Sequence, residues 1–422
     1  MSRERLWKQD GTFDVGLPGI MQMPMMGDRP AAGQRPLEPL TQVRILVPQY
    51  VPFSDSPARP FLPHRRRSCG ATRSRRAGRS MITLFILAVE WSGWSYAQVP
   101  ALPLKERTFL MGTTPLPGVS RDFLGALKLV ASTGELIMYW PAHTGIGFLN
   151  DVERPMPGGG TYVDAVRRMG LEPVLNLNPW TVAPGKGIVR NDGSASSDFG
   201  AADFQRQMVR EAAEAARRFH PAYFCIGNEV NSVAQMLGAR AFADLIQLEQ
   251  RIYRAIKTAS PRTKVIVVIS WSQLVDGPAS PNYSLVGRVA AVCDVVGLTT
   301  YPWRRYATPD AIPPNYYRRI ASYTSKPIAF TEIGWSSDPS QGGSERAQAR
   351  FLVRFLELTR GMPLEFVHWA FLHDLSPAAV GGIAVQRTHL GLGLRQYDGT
   401  PKPVWQVWCN LHALPRACAT PR

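Results

Sequence analysis

Between Phe109 and Trp369 the chain alternates short apolar runs with longer stretches that carry apolar residues at three- and four-residue steps. The runs are TFLMGTT near Phe109, ELIMYW ending at Trp140, PVLNLN ending at Asn178, YFCIGNE, VIVVIS ending at Ser270, DVVGLTTY ending at Tyr301, PIAFTE, and EFVHWAF through Trp369. Most are continuously apolar rather than alternating, so both faces of each strand must be buried, as in a parallel sheet covered by helices. The intervening stretches RDFLGALKLVA, ADFQRQMVREAAEAARRF, ARAFADLIQLEQRIYRAIKTA and ERAQARFLVRFLELTR each present one apolar stripe. Eight such strand and helix units predict an α/β chain of (β/α)8 TIM-barrel architecture, built as a single domain from residue 98 to 422.

The charge of the chain is unevenly placed. Its net charge is +16, yet residues 1–80 hold 14 Lys and Arg against 6 Asp and Glu, so half of the surplus precedes the barrel. Those 80 residues show no amphipathic period, and we expect a non-domain extension there. At Met81 the character changes: basic residues up to Arg79, then the apolar MITLFILAVEWSGW, then Ser95, Tyr96 and Ala97 before Gln98 follow the order of a signal peptide, placed over 81–97, which predicts a secreted or periplasmic protein. Translation from Met81 and a cytoplasmic tail on a signal anchor are the two accounts of the segment ahead of it. The apolar stretch is short for a membrane span and contains Glu90, so no stable membrane insertion is expected after cleavage. Nor does the remaining basic surplus carry the aromatic interleaving of a nucleic-acid site.

Two runs end in acids. FCIGNEVN, Phe224 to Asn231, closes with Asn228 and Glu229, and PIAFTEIGWSS, Pro327 to Ser337, with Thr331 and Glu332. In a parallel barrel the strand ends at the C-terminal face project into one shared pocket. The two glutamates stand roughly three repeats apart, a spacing that suits strands four and seven. Alternative chemistries leave no trace: HExxH, paired CxxC, Walker loop and GxSxG elbow are all missing from the sequence.

GNEV together with TEIGWSS resembles glycoside hydrolase clan A, over roughly Arg107 to Trp408. Within that clan the pattern is most similar to the endo-1,3-β-glucanase family, with arabinogalactan endo-galactanases and cellulase-like families as neighbours. Ser336 stands where the glucanase family usually has Pro, and FLMGTTPLP departs from its usual first strand. The resemblance implies hydrolysis with retention of anomeric configuration, Glu229 as acid/base and Glu332 as nucleophile. It further implies Asn228 on the sugar 2-hydroxyl, Tyr301 as a donor to the nucleophile, and Trp369 as an aromatic platform beneath the sugar. Retention needs the two carboxyl groups about 5 to 5.5 Å apart and in different protonation states.

Other candidates come from position. Trp140, Trp180, Trp271, Trp303 and Trp335 fall at or just beyond strand ends, where a flat ring is as well suited to a sugar as to packing. His143, His368 and His373 lack ligand spacing and suit sugar contacts or satisfied core positions rather than a metal; no metal and no cofactor is expected. Thr181 to Gly200, with Lys186 and Arg190, reads as a plain loop or as a lid. Cys225 and Cys293 are expected as buried thiols, and Cys409 with Cys418 as a disulfide if the chain is exported. The expected partner is a poly- or oligosaccharide, taken by a monomer. A transglycosylase would share every named residue, and a non-catalytic sugar-binding barrel is the alternative outside enzymes.

Overall fold

The structure, a computed structural model, describes residues 100–417 apart from 142, 157, 184, 278–280 and 377–388. The expectations for the extension, the signal-like segment and the Cys409–Cys418 bridge therefore lie wholly or partly outside the described residues. Eleven strands are described: β1 (Leu110–Thr114), β2 (Leu136–Tyr139), β3 (Glu172–Asn176), β4 (Trp180–Ala183), β5 (Gly187–Arg190), β6 (Tyr223–Gly227), β7 (Lys264–Ser270), β8 (Val295–Thr300), β9 (Ile328–Ile333), β10 (Leu364–His373) and β11 (Gly393–Arg395). The order β1-β2-β3-β6-β7-β8-β9-β10 is parallel throughout, and β10 pairs back onto β1. That closure makes the expected eight-stranded barrel.

The apolar runs are double-sided because the barrel has two cores. Leu136, Met138, Val174, Cys225, Ile266, Val268, Val295 and Phe366 fill the interior, whereas their neighbours Ile137, Leu175, Phe224, Val267, Leu298 and Val367 pack outward against helices. The helical stripes meet that outer layer: on Ala202–Phe219 the side chains of Phe204, Met208, Ala212, Ala215 and Phe219 are buried, at steps of three or four. Ser344 caps the helix Glu345–Thr359 by accepting from the Ala347 N–H, which satisfies one of the donors a helix start leaves open.

Three features differ from the sequence reading. The stretch Thr181–Gly200 is not a plain loop, because β4 and β5 form an antiparallel hairpin inside it. The third helix begins earlier than expected, at Asn231, and is broken at Gly238, whose φ of 85° no helix accommodates, so the predicted segment is its second part. Beyond β10 the chain adds β11 parallel to that strand, with Phe371 opposite Gly393. Cys225 and Cys293 are free and buried as expected, and none of the described helices is long and apolar enough to cross a membrane.

Candidate active site

The fourth barrel strand delivers its acid through a tight turn. Gly227 ends β6, Asn228 and Glu229 follow, and Asn231 opens the next helix. Glu229 itself adopts φ 51°, a left-handed conformation that costs a non-glycine residue about 1 kcal/mol or more and persists only when neighbours hold it. Hydrogen bonds around the turn hold it there. Val230 N–H donates to the Val268 carbonyl at 3.0 Å, and Ser232 N–H to the Glu229 carbonyl at 2.9 Å. Asn231 pins the helix start to the end of β7 by accepting from Ser270 N–H at 2.8 Å and donating to the Ser270 carbonyl at 3.2 Å. Asn178, at the third strand's mouth, accepts from Asn228 N–H at 3.0 Å.

Strand β8 holds both acids. Its Thr299 hydroxyl donates to Glu229 Oε1 at 2.5 Å. Two residues on, and so on the same face of the strand, the Tyr301 hydroxyl donates to Glu332 Oε2 at 2.5 Å. Thr299 also pairs across the ladder with Glu332 of β9. The two glutamates are thus gathered at one mouth, on either side of a single strand. Asn228, 4% exposed, lies beside them, and its side-chain Oδ1 accepts no bond from the protein.

Electrostatics couples the pair. Burial raises the pKa of Glu229, against the opposing pull of the Thr299 and Ser270 hydroxyls and of the Arg304 charge. Burial and then the Glu229 charge push Glu332 up to about 8, against the Tyr301 hydrogen bond. The Glu332 carboxyl lies deep, although the residue as a whole keeps some surface at the mouth. Because the charge of Glu229 raises Glu332, the two carboxyl groups release their protons in separate steps, and between those steps the pair carries one proton and one negative charge.

The tryptophans divide. Trp140 shares the inward face with Leu136 and Met138, packs on the interior cluster and keeps surface at the mouth of β2. Trp303, just past β8, is likewise half-buried. Trp369 is fully buried and faces outward: its ring lies 6.2 Å from Phe351 and 6.3 Å from Trp408, and its indole N–H donates to the Leu392 carbonyl at 2.7 Å. Trp335, 1% exposed, packs 5.4 Å from Phe351 in the same outer layer. The expected sugar platform at Trp369 and sugar contact at Trp335 are therefore corrected, because these rings fill the space between barrel and helices. Trp180 and Trp271 are also fully buried.

The histidines do not converge. His368 sits inside the barrel and accepts from Met138 N–H at 3.3 Å, with burial lowering its pKa to about 3, so it is neutral. His373 lies 2.6 Å from the Leu116 carbonyl, and His143 is held by Asp151 at 2.9 Å. Among the described residues no group of three His, Cys, Asp or Glu is arranged to hold a metal ion. Thr299 and Asn178 are the site residues that sequence reasoning did not single out.

The fold is a closed parallel barrel with two neighbouring carboxyl groups at its C-terminal mouth. No protein-family model matches this sequence, and no curated protein matches it either. Solved structures do match in fold. GH5_18 from Streptomyces cattleya, in complex with GlcNAc, shares 16% identity and a TM-score of 0.54, covering 75% of this chain and 83% of its own. A GH5_18 variant from Bifidobacterium longum subsp. longum, in complex with Manb1-4GlcNAc, shares 14% identity and a TM-score of 0.52, over 74% and 80%. A family 39 glycoside hydrolase from the gut symbiont Bacteroides cellulosilyticus shares 17% identity and a TM-score of 0.50, over 75% of this chain and 66% of its own. The likeness is one of fold, and it does not carry the finer expectation of an endo-1,3-β-glucanase.

Proposed function

We propose that this chain is a retaining glycoside hydrolase acting on β-linked oligo- or polysaccharides, with Glu229 as acid/base and Glu332 as nucleophile. The observation that carries the reading is the single strand β8, which binds Glu229 through Thr299 and Glu332 through Tyr301. Retention requires two carboxyl groups in reach of one anomeric carbon and in opposite protonation states. A coupled pair holding one proton supplies that difference. In the free protein burial and the Glu229 charge favour the proton on Glu332; the Tyr301 hydroxyl opposes this, and a bound glycosidic oxygen, which is an acceptor, draws the proton to Glu229 and leaves the charge on Glu332.

The reaction then runs in two displacements. Glu332 attacks the anomeric carbon while Glu229 gives its proton to the leaving oxygen, forming a glycosyl-enzyme ester. Glu229, now charged, takes a proton from water as that water attacks the same carbon and frees Glu332. Asn228 Oδ1, buried and unpartnered, is placed to accept from a sugar hydroxyl, and Trp140 and Trp303 offer the rings at the mouth. Support for sugar as the substrate class comes from the structural neighbours, whose names include bound GlcNAc and Manb1-4GlcNAc. Accordingly β-mannosides come before 1,3-β-glucan in the order of test. The experiment is hydrolysis of a panel of β-glycosides and β-glycans, with the configuration of the first product followed by NMR. Retained product supports the reading; inverted product, or no cleavage of any glycan, ends it. Export of the chain, as its signal-like segment suggests, belongs to the same proposal.

A further inference from the structure

Tyr301 has its own support, and it reaches back to a third carboxylate, Asp276. The backbone N–H of Tyr301 lies one residue past β8, where the last ladder pair with β9 is Thr300 with Ile333. With no strand partner left for it, this N–H donates at 2.8 Å to the hydroxyl of Ser272. Ser272 is the second residue of the short helix Trp271–Asp276, which follows β7 directly. Its hydroxyl also lies 3.2 Å from Thr300 Oγ1 and 3.4 Å from the Tyr316 hydroxyl. Tyr316, fully buried, donates its one proton to Asp276, and the Tyr306 hydroxyl donates to the other Asp276 oxygen at 3.1 Å. Ser272 and Asp276 are four residues apart and so share one face of their helix.

We propose that Ser272, Tyr316 and Asp276 form a positioning relay that holds Tyr301 in place and, through its hydroxyl, the charge on Glu332. The relay rests on the reading of Glu332 as nucleophile. Asp276 grips the chain twice. Tyr316 links it inward to Ser272, while Tyr306 links it to the segment that leaves β8, where Tyr306 N–H is itself bonded to the Pro302 carbonyl at 2.9 Å. Burial raises the pKa of Asp276, opposed by the Tyr316 and Tyr306 hydroxyls and then by the nearby Arg305 and Arg319, and its two oxygens are the acceptors for the two phenols. The proton order follows from valence. Tyr316 has one proton and gives it to Asp276, so the Ser272 hydroxyl is left to donate onward while its lone pair receives Tyr301 N–H. Removing any member frees the Tyr301 backbone and loosens a 2.5 Å phenol–carboxylate bond that depends on placement.

The test reads Glu332 directly. In protein labelled with 13C at the glutamate carboxyl carbons, with the resonance assigned by its loss in Glu332→Gln, Ser272→Ala and Asp276→Asn should each move the Glu332 titration to higher pH. Tyr301→Phe should move it further, and Ser272→Ala should add nothing on the Tyr301→Phe background. Tyr316→Phe, which removes only a hydroxyl, gives the same readout if Ser272→Ala fails to fold. In the active enzyme kcat should fall roughly tenfold with KM little changed, as expected for a displaced functional group. A titration unmoved by these substitutions, or moved equally with and without the Tyr301 hydroxyl, overturns the relay. The titration needs no substrate, so its result stands apart from whether the protein cleaves any glycan.

Discussion

Thr299 stands opposite Glu332 in the β8–β9 ladder and gives its hydroxyl to Glu229. One threonine therefore touches both halves of the acid pair, by backbone register on one side and by a side-chain bond on the other. Parallel strands lie about 4.8 Å apart, so the register alone brings Glu332 within a strand's width of the residue that holds Glu229.

The coupling of the pair sets the pH dependence. Activity needs one proton on the two carboxyl groups, so it should rise as the first proton leaves and fall as the second leaves, near pH 8 by the value reached at Glu332. Tyr301 favours the charged form of Glu332. Tyr301→Phe should therefore raise that pKa, move the alkaline limb of kcat/KM to higher pH and lower kcat, with the melting temperature little changed. A pH–rate profile for both proteins decides this, and an unshifted alkaline limb would remove Tyr301 from the orienting role.

Trp140 and Trp369 should behave oppositely on substitution. Trp369 is enclosed by Phe351 and Trp408, so Trp369→Ala should cost about 3–5 kcal/mol of stability by leaving a cavity. Trp140 keeps surface at the mouth, so Trp140→Ala should raise KM while thermal stability changes far less. Denaturant unfolding beside steady-state kinetics separates the two. A Trp369→Ala protein of wild-type stability but weak sugar binding would restore that ring to the cleft.

This division shows where sequence reading reaches its limit. The acids were legible because a polar pair closing an apolar run is unusual, and Tyr301 because it ends its run. The facing of the tryptophans was not. A strand's side chains alternate, so one extra residue sends every later side chain to the other face. A shift of that kind occurs in β9 around Thr331, where β9 carries one residue more than β8 between Leu298 and Thr299 and than β10 between Val367 and Trp369, and beyond it Ile333 and Trp335 face outward with Phe330. No residue type announces it. Thr299 was hidden for a related reason, since a threonine in GLTTY is an ordinary strand residue until its facing is known. The hairpin of β4 and β5 was masked by Gly185, Lys186 and Gly187, which read equally well as open loop.

Gly227 is the hinge from which the strand-four acid is hung. A Cβ there would lie 2.1 Å from Glu249 Oε1 and 2.8 Å from Val230 Cγ1, on the helix and turn that hold Glu229. Gly227→Ala should therefore force the turn to shift, costing about 1–3 kcal/mol as overpacking does. Activity should fall far more than that loss of stability accounts for, because the displaced backbone carries Glu229. Adding Glu249→Ala should recover part of both by making room. Unchanged kinetics in Gly227→Ala would mean that the turn does not set the position of the acid.

The two glutamates are told apart by what each can still do alone. If Glu332 is the nucleophile, Glu332→Ala leaves nothing to attack the anomeric carbon, and every substrate should lose activity by several orders of magnitude whatever its leaving group. If Glu229 is the acid, Glu229→Ala should nearly abolish cleavage of natural glycans yet still form the glycosyl-enzyme from substrates whose leaving group needs no proton. The second step would then stall for want of a base. Azide needs no base, so it should restart turnover in Glu229→Ala and yield the β-glycosyl azide from a β-linked substrate, the retained configuration. In Glu332→Ala azide occupies the space of the missing carboxylate and attacks the substrate itself, giving the inverted azide. NMR of the azide products from both variants reads the assignment directly: exchanged products would exchange the roles, and full activity in both would end the glycosidase reading.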